Sequence, residues 1–215
     1  NLLKVSQKSK NLVRFVNVGS VFEYGNRSGK VSEGDIDIRD VLNLYSAVKL
    51  STTALACSFA QRLPSVTLRP FTIYGPYGDW TSRAIERSIV RYLHKEPIQI
   101  AKGVIRDFVF IGDVVDAFLL ACYKEKAIGQ VINVGSGQAT SLSSLSRVIL
   151  ESRPWRVDVE TVAGRNPGSR CYADISEARK LLGWRPKHSL EKGVGETVEW
   201  FDKNLSQLPL LPQRE

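Results

Sequence analysis

The sequence predicts an α/β fold built on a parallel sheet. Three observations carry that reading. Apolar runs recur at 12–20 (LVRFVNVGS), 65–71 (SVTLRPF) and 130–134 (QVINV), segments with helical spacing lie between them, and small or turn-forming residues follow them. Continuous apolar runs suit strands covered on both faces, and intervening helices provide the crossovers that parallel strands require.

Taken in order, residues 1–9 read as the tail of a helix, and 12–20 as a buried strand that reaches its loop at Gly19 and Ser20. The glycine- and charge-rich stretch 21–42 reads as loop. A helix then opens at NLYSAVKLSTTAL (43–55) and runs to about Arg62, stopping before Pro64. Its spacing predicts a buried stripe of Leu44, Val48, Leu55 and Phe59. Tyr45 and Lys49, at i and i+4, sit one above the other on a neighbouring face.

The strand at 65–71 ends in the turn-rich YGPYGDW, followed by a helix over about 81–94 and short strands near 98–101 and 107–111. Asp113 is the expected N-cap of the helix VVDAFLLACY. After QVINV come a helix at SLSSLSRVILES, then DISEARKLLGW and the amphipathic GVGETVEWFDKNL. Pro209 and Pro212 mark the last ten residues as a frayed tail. Asn133, Asp113 and Trp184 read as residues that serve the fold. Arg83, Arg87 and Arg91 share one helix face and read as solvated charge.

Composition narrows the function. No apolar run approaches the ~18 residues a membrane span needs, and no basic-then-apolar leader opens the chain. Cys57, Cys122 and Cys171 are odd in number and lack metal spacing, so the reading is a reduced, cytoplasmic protein with no metal site. A net charge of +8 suits a solvated basic surface, a phosphorylated small substrate, an acidic membrane surface or nucleic acid. No aromatic-studded basic ribbon is visible, which makes nucleic acid the minority reading. The chain opens at Asn1 and contains no methionine, the pattern expected of a fragment.

A doubly wound fold that uses a dinucleotide normally carries a glycine-rich first turn. The nearest match is INVGSGQAT, with Gly135 and Gly137 after a strand and Thr140 at the third site. Too little chain follows for a full cofactor domain, and no strand precedes Gly193 and Gly195. The phosphate loop is therefore not in this sequence.

Tyr45 and Lys49 fit the Y-x-x-x-K pattern of the short-chain dehydrogenase/reductase superfamily. Further segments match in the right order. VGSVFEYG resembles the strand end that supplies a catalytic serine or threonine, here Ser20. LRPFTIYGP (68–76) resembles the segment lining the nicotinamide and the sugar, and RDFVFIGDVVDAF (106–118) the nucleotide-contacting segment of the extended subfamily. NVGSG, ADISEARKLLGW and SLEKGVGETVEW resemble that subfamily's C-terminal half. The resemblance covers residues 1–204 and is to the nucleotide-sugar epimerase, dehydratase and reductase family.

The resemblance implies the C-terminal part of a doubly wound Rossmann-type parallel sheet plus a small α/β substrate-binding lobe. Residues 1–74, with a return strand near 130–135, would be the remainder of the NAD(P)-binding domain. Residues 75–129 and 136–204 would form mainly the sugar-nucleotide lobe, and 205–215 a tail. The chain would begin inside the fourth helix of the first domain, leaving the phosphate loop upstream. NAD or NADP is the implied cofactor and a nucleotide-diphosphate sugar the implied substrate.

Tyr45 would be the acid–base, Lys49 its tuner and ribose contact, and Ser20 the hydroxyl that steers the reacting proton. An ammonium favours a neighbouring phenolate, which is why these residue types suit proton transfer. Val18 and Phe71 would join Tyr45 and Lys49 at the cofactor. Ser20, Thr72, Arg106 and Arg165 would face the substrate, Arg106 as the diphosphate or base contact. Thr72 stands where many members carry asparagine, and the spacing from Arg165 to Asp174 is a residue short. Val21 and Phe22 replace the acidic pair of 4,6-dehydratases. The implied activity is a 4-epimerase or 4-ketoreductase, with a homodimer through the Tyr45 helix common among relatives. The alternative is a non-catalytic relative that binds, for example, RNA.

Overall fold

The computed structural model describes residues 1–162 and 170–208. In chain order, α1 (Leu2–Ser6) and β1 (Phe15–Val18) are followed by a 3-10 turn at Val21–Tyr24, β2 (Ser28–Val31) and a second 3-10 turn at Ile38–Asp40. Next come α2 (Leu44–Phe59), β3 (Ser65–Pro70), β4 (Thr72–Tyr74) and α3 (Ala84–Leu93). β5 (Ile98–Ala101), β6 (Ile105–Arg106) and β7 (Phe108–Phe110) precede α4 (Ile111–Tyr123) and a 3-10 turn at Glu125–Ala127. β8 (Val131–Val134), β9 (Thr140–Ser141), α5 (Leu142–Glu151), β10 (Val159–Val162) and β11 (Arg170–Ala173) follow. A π-helical turn at Ala178–Leu182, α6 (Leu190–Asn204) and a 3-10 turn at Leu205–Gln207 complete the described chain.

The three apolar runs form one parallel sheet in the order β1-β3-β8, with Val18 beside Leu68 and Pro70 beside Val134. β1, expected to be buried, has no fully buried residue because it lies at the edge of this sheet, whereas β3 is buried throughout. Around it lie two-stranded parallel pairs β2/β11, β4/β7 and β5/β10, and the antiparallel pair β6/β9. One apolar cluster joins Val66, Leu68, Ile132 and Val134 of this sheet to Val114, Ala117 and Ala121 of α4 and to Leu182 and Trp184. A second gathers Ile85, Ile89 and Tyr92 of α3, Leu145 and Ile149 of α5, and Val194, Val198 and Phe201 of α6.

Several local expectations are corrected. The 21–42 stretch is not all loop: it contains β2, which finds a partner in β11 about 140 residues on, a pairing that local sequence does not encode. Most of the stripe expected to be buried on α2 is not: Leu44 is 80% exposed, Val48 51% and Leu55 53%, while Phe59 is half-buried. The inward face is instead Ser46, Thr53 and Ala56, small residues that let the helix lie close to the sheet. A capping box starts this helix, with Asn43 Oδ1 accepting from Ser46 N and Ser46 Oγ accepting from Asn43 N, both at 3.0 Å. It ends at Phe59, before Arg62.

Asp113 does not cap α4, which opens one turn earlier with Phe110 at the cap position. Its buried carboxylate accepts from His188 N (3.1 Å) and meets His188 Nδ1 (2.9 Å), while its carbonyl accepts from Trp184 Nε1 (2.8 Å). These contacts tie α4 to the approach of α6. Leu205 and Leu208, inside the stretch expected to be a tail, pack on the second cluster. Pro209 and Pro212 lie outside the described residues.

A buried polar network fixes the end of β1. Arg69 donates to Glu23 Oε2 from Nε (3.2 Å) and Nη2 (3.0 Å), and to the Tyr24 hydroxyl from Nη1 (2.8 Å). The side chains of Arg69 and Glu23 are 2% and 0% exposed. The Tyr24 hydroxyl donates to Asn133 Oδ1 (2.7 Å), and the Asn133 amide donates to Glu33 Oε1 (2.8 Å). Burial pushes the Tyr24 phenol well above its ordinary value, so it stays a donor. Glu23 Oε1 in turn accepts from Ser20 N at 2.7 Å, and a Cβ on Gly19 would lie 2.5 Å from that oxygen.

Arg69→Met should therefore strand the Glu23 carboxylate in a dry interior and cost about 3–5 kcal/mol. The double variant Glu23→Gln/Arg69→Met should recover part of that loss in urea denaturation. Equal stability of Arg69→Met and the wild type would show that the pair is not buried as described.

Candidate active site

Parallel strands direct their C-terminal ends to one edge, and loops leaving that edge build a cleft. Here the ends of β1 and β3, the N-terminal turns of α2, and the loop before α3 enclose about 660 Å³. Val18, Ser20, Tyr45, Lys49, Phe71, Thr72 and Arg106 all line it. Seven of the residues singled out in the sequence thus share one cavity. Arg165 lies outside the described residues.

Ser20 is buried at the cap of the 3-10 turn, where its Oγ accepts from Phe22 N at 3.2 Å. With the lone pair so used, its own O–H proton can be directed at a reacting oxygen. Tyr45 is 52% exposed in the first turn of α2, and Phe22 meets its ring edge-on, with centroids 5.6 Å apart and planes at 88°. Lys49, one turn on, donates from Nζ to Val18 O at 2.9 Å and stands 5.7 Å from the Tyr45 ring centroid. The backbone of β1 thereby aims an ammonium along the phenol face. The i, i+4 pair becomes a cation–phenol pair at the sheet edge.

The opposite wall comes from β6 and β7. Arg106 is half-buried and donates from Nη1 to Ile105 O at 2.8 Å, and burial together with the Arg170 charge makes its guanidinium less basic than usual. Asp107, the next residue, accepts from Ser136 N and Oγ (both 2.6 Å), Gly137 N (3.0 Å) and Ala173 N (3.0 Å). Burial nonetheless raises its pKa, the four donors opposing that shift. The G-x-G turn of NVGSG thus gives its amides to a carboxylate of this chain, consistent with its not being a phosphate loop.

Sequence reasoning missed part of the site. Asp79, Ser82 and Arg83 also line the cleft, Arg83 as the exposed charge the sequence reading expects but at the mouth of the site. Asp79 accepts from Thr81 N (3.0 Å) and Oγ1 (2.6 Å) and pairs with the Ser82 hydroxyl, and these bonds hold its carboxyl well below the usual range, at about 2. Arg91 of the same supposed stripe donates to Pro97 O and pairs with Glu96 at 3.3 Å. The role of Glu23 was visible as S-x-x-E from Ser20, the signature of the capping box that forms here. The position of Arg83 had no such signal, because the loop before α3 determines it.

Residues 1–135 match the sequence profile of the NAD dependent epimerase/dehydratase family. A dTDP-L-rhamnose 4-epimerase of Burkholderia thailandensis is 32% identical over 173 residues, which are 77% of this chain and 48% of that protein. A dTDP-D-glucose 4,6-dehydratase of Mus musculus is 28% identical over 176 residues, again 48% of its length. The chain thus spans about half the length of these curated relatives. Among solved structures, UDP-glucuronic acid 4-epimerase from Bacillus cereus, in complex with UDP-glucuronic acid and NAD, superposes with a TM-score of 0.85 at 29% identity. That match covers 94% of this chain and 65% of the other.

Proposed function

The chain belongs to the NAD-dependent epimerase/dehydratase family, and from that premise we propose that it carries the catalytic and sugar-binding part of an NAD(P)-dependent nucleotide-sugar 4-epimerase or 4-ketoreductase. One observation supports this most. Ser20, Tyr45 and Lys49 line the same cleft as Thr72 and Arg106, so proton-transfer groups and a candidate phosphate contact address one bound molecule.

The cleft residues fit the nicotinamide end of the cofactor. Val18, Val21 and Phe71 offer apolar surface beside Lys49, and an ammonium with one N–H on Val18 O has two more donors for ribose hydroxyls. When bound, NAD(P) supplies the hydride acceptor or donor. The chain's own residues manage the accompanying proton. Tyr45 takes it from, or returns it to, the oxygen on the reacting sugar carbon, and Lys49 stabilises the phenolate in between. Ser20 donates to that same oxygen and holds it toward Tyr45. Arg106 offers a planar fork of donors suited to a diphosphate, and the Thr72 hydroxyl offers a single donor and acceptor. The phosphate-cradling turn is not among these residues, so this chain alone is proposed to hold NAD(P) weakly and to be inactive.

Reaction class rests on the segment after Ser20. Removing water from a 4-keto sugar requires one group to take a proton and another to protonate the leaving hydroxyl. Val21 and Phe22 can do neither, and the Glu23 carboxylate is locked onto Arg69 and the Ser20 amide. For assembly we propose a homodimer through the exposed Leu44, Val48 and Leu55 of α2.

In the whole protein, Tyr45→Phe should lower turnover by ~10²-fold or more while leaving substrate affinity near wild type. Unchanged turnover would remove Tyr45 from the mechanism. Incubation with UDP-glucose and NAD, and separately with a 4-keto-6-deoxy sugar nucleotide and NADH or NADPH, should give isomerised or reduced product by mass spectrometry. A product one water lighter than its substrate would overturn the reaction class. Val48→Glu should convert a dimer to a monomer in sedimentation, and a wild-type monomer would sink the proposed assembly.

A further inference from the structure

Behind the cleft wall lies a carboxyl group that no step above uses. Glu86 stands in the first turn of α3, is 1% exposed, and its Oε1 has no hydrogen-bond partner. The loop 75–83 closes directly over it: a Cβ placed on Gly78 would lie 2.4 Å from that oxygen. The loop is also conformationally strained. Tyr77 holds φ at 63°, a region costly for a bulky residue, and leans on Trp200 with ring centroids 4.6 Å apart. This same loop carries Asp79, Ser82 and Arg83 into the cleft.

We propose that Glu86 is a proton-controlled positioning residue: neutral, it lets the loop 75–83 seat against α3 and complete the cleft wall, and ionised, it drives the loop to lift. The proposal rests on the reading of that cleft as the nucleotide-sugar site. A carboxylate with one oxygen left without a donor in a dry pocket can regain full solvation only if the backbone above it moves. The groups that face it are unequal to holding the charge. Its own amide, the Gly75 amide and the Arg83 guanidinium favour ionisation, while Asp79 opposes it. Beneath the loop lies the buried phenol of Tyr74 of β4, which burial pushes up and on which Glu86 acts together with Asp113 of α4 and Glu191 and Glu196 of α6, so the acidic groups on this side offer Glu86 no counter-charge.

The sign follows from burial. Desolvation raises the Glu86 carboxyl from its ordinary 4.5 to about 7. A raised acid favours the seated loop fully below its ordinary value, loses that advantage as pH climbs toward 7, and changes little above. If lifting restores ordinary acidity, the lifted population grows by up to ~10²-fold across that window.

Hydrogen exchange of the 75–83 segment in the whole protein, corrected for intrinsic rates, reads this directly. Between pH 5 and 8 the wild type should lose protection by about tenfold or more, whereas Glu86→Gln, neutral throughout, should stay flat and be the better protected at pH 8. Carbon-13 shifts of labelled glutamate in the wild type should show one side chain titrating near neutrality, a measurement independent of how the variant folds. Protection unchanged with pH, a Glu86→Gln profile that follows the wild type, or no glutamate titrating above pH 6 would each overturn the proposal. Neither readout needs substrate or turnover, so both stand or fall apart from the assignment of the reaction.

Discussion

A guanidinium buried beneath the end of β1 is the constraint on which the cleft depends. Arg69 belongs to β3, and Glu23 to the turn that leaves β1. Their pairing is therefore a cross-strand clamp placed one turn behind Ser20. Two such charges in a dry interior give little net stability, because desolvation offsets most of their attraction. What they give is position. Glu23 divides its oxygens between Arg69 and the Ser20 amide, so Ser20 cannot shift without breaking a charge-assisted bond. Asn133 and Glu33 extend the clamp to β8, so all three strands of the sheet are referred to one set of donors.

Two buried carboxyls near the cleft show how satisfaction decides rigidity. Asp107 has four donors from two segments distant in sequence, and it welds the 135–137 turn to β11. Glu86 has an oxygen with none. Both pKa values are raised by burial, so the direction of the shift alone does not distinguish them. The number of hydrogen bonds does. One wall of the cleft is a fixed surface, and the facing loop is held mainly by packing.

The sheet was legible in the sequence because its strands have a local signature, and the residues that line the cleft were singled out through the family resemblance of the segments that carry them. Continuous apolar runs marked β1, β3 and β8, and the i, i+4 spacing of Tyr45 and Lys49 survived as a real contact. What was not legible depends on partners remote in sequence. β2 and β11 are short, half-exposed strands that exist through each other. The inward face of α2 was misread because hydrophobicity picks the largest apolar residues. Helix-on-sheet approach selected Ser46, Thr53 and Ala56 instead. Asp113 was misread for a similar reason: its residue type suits a cap, but His188 and Trp184 claim it from the far end of the chain.

The outer side of β1 has a consequence for handling this chain in isolation. Among the described residues β3 is the only strand that β1 pairs with, so its other edge carries backbone groups that no strand covers, Val18 O alone being taken by Lys49 Nζ, and Val13 and Val18 are 68% and 43% exposed. No proline, bulge or inward charge within Phe15–Val18 blunts that edge. The isolated chain thus offers a ready template for intermolecular strand addition, next to the sticky outer face of α2. Aggregation during expression, rather than loss of secondary structure, is the failure such a surface produces, and added net charge or a solubilising fusion partner is the physical remedy.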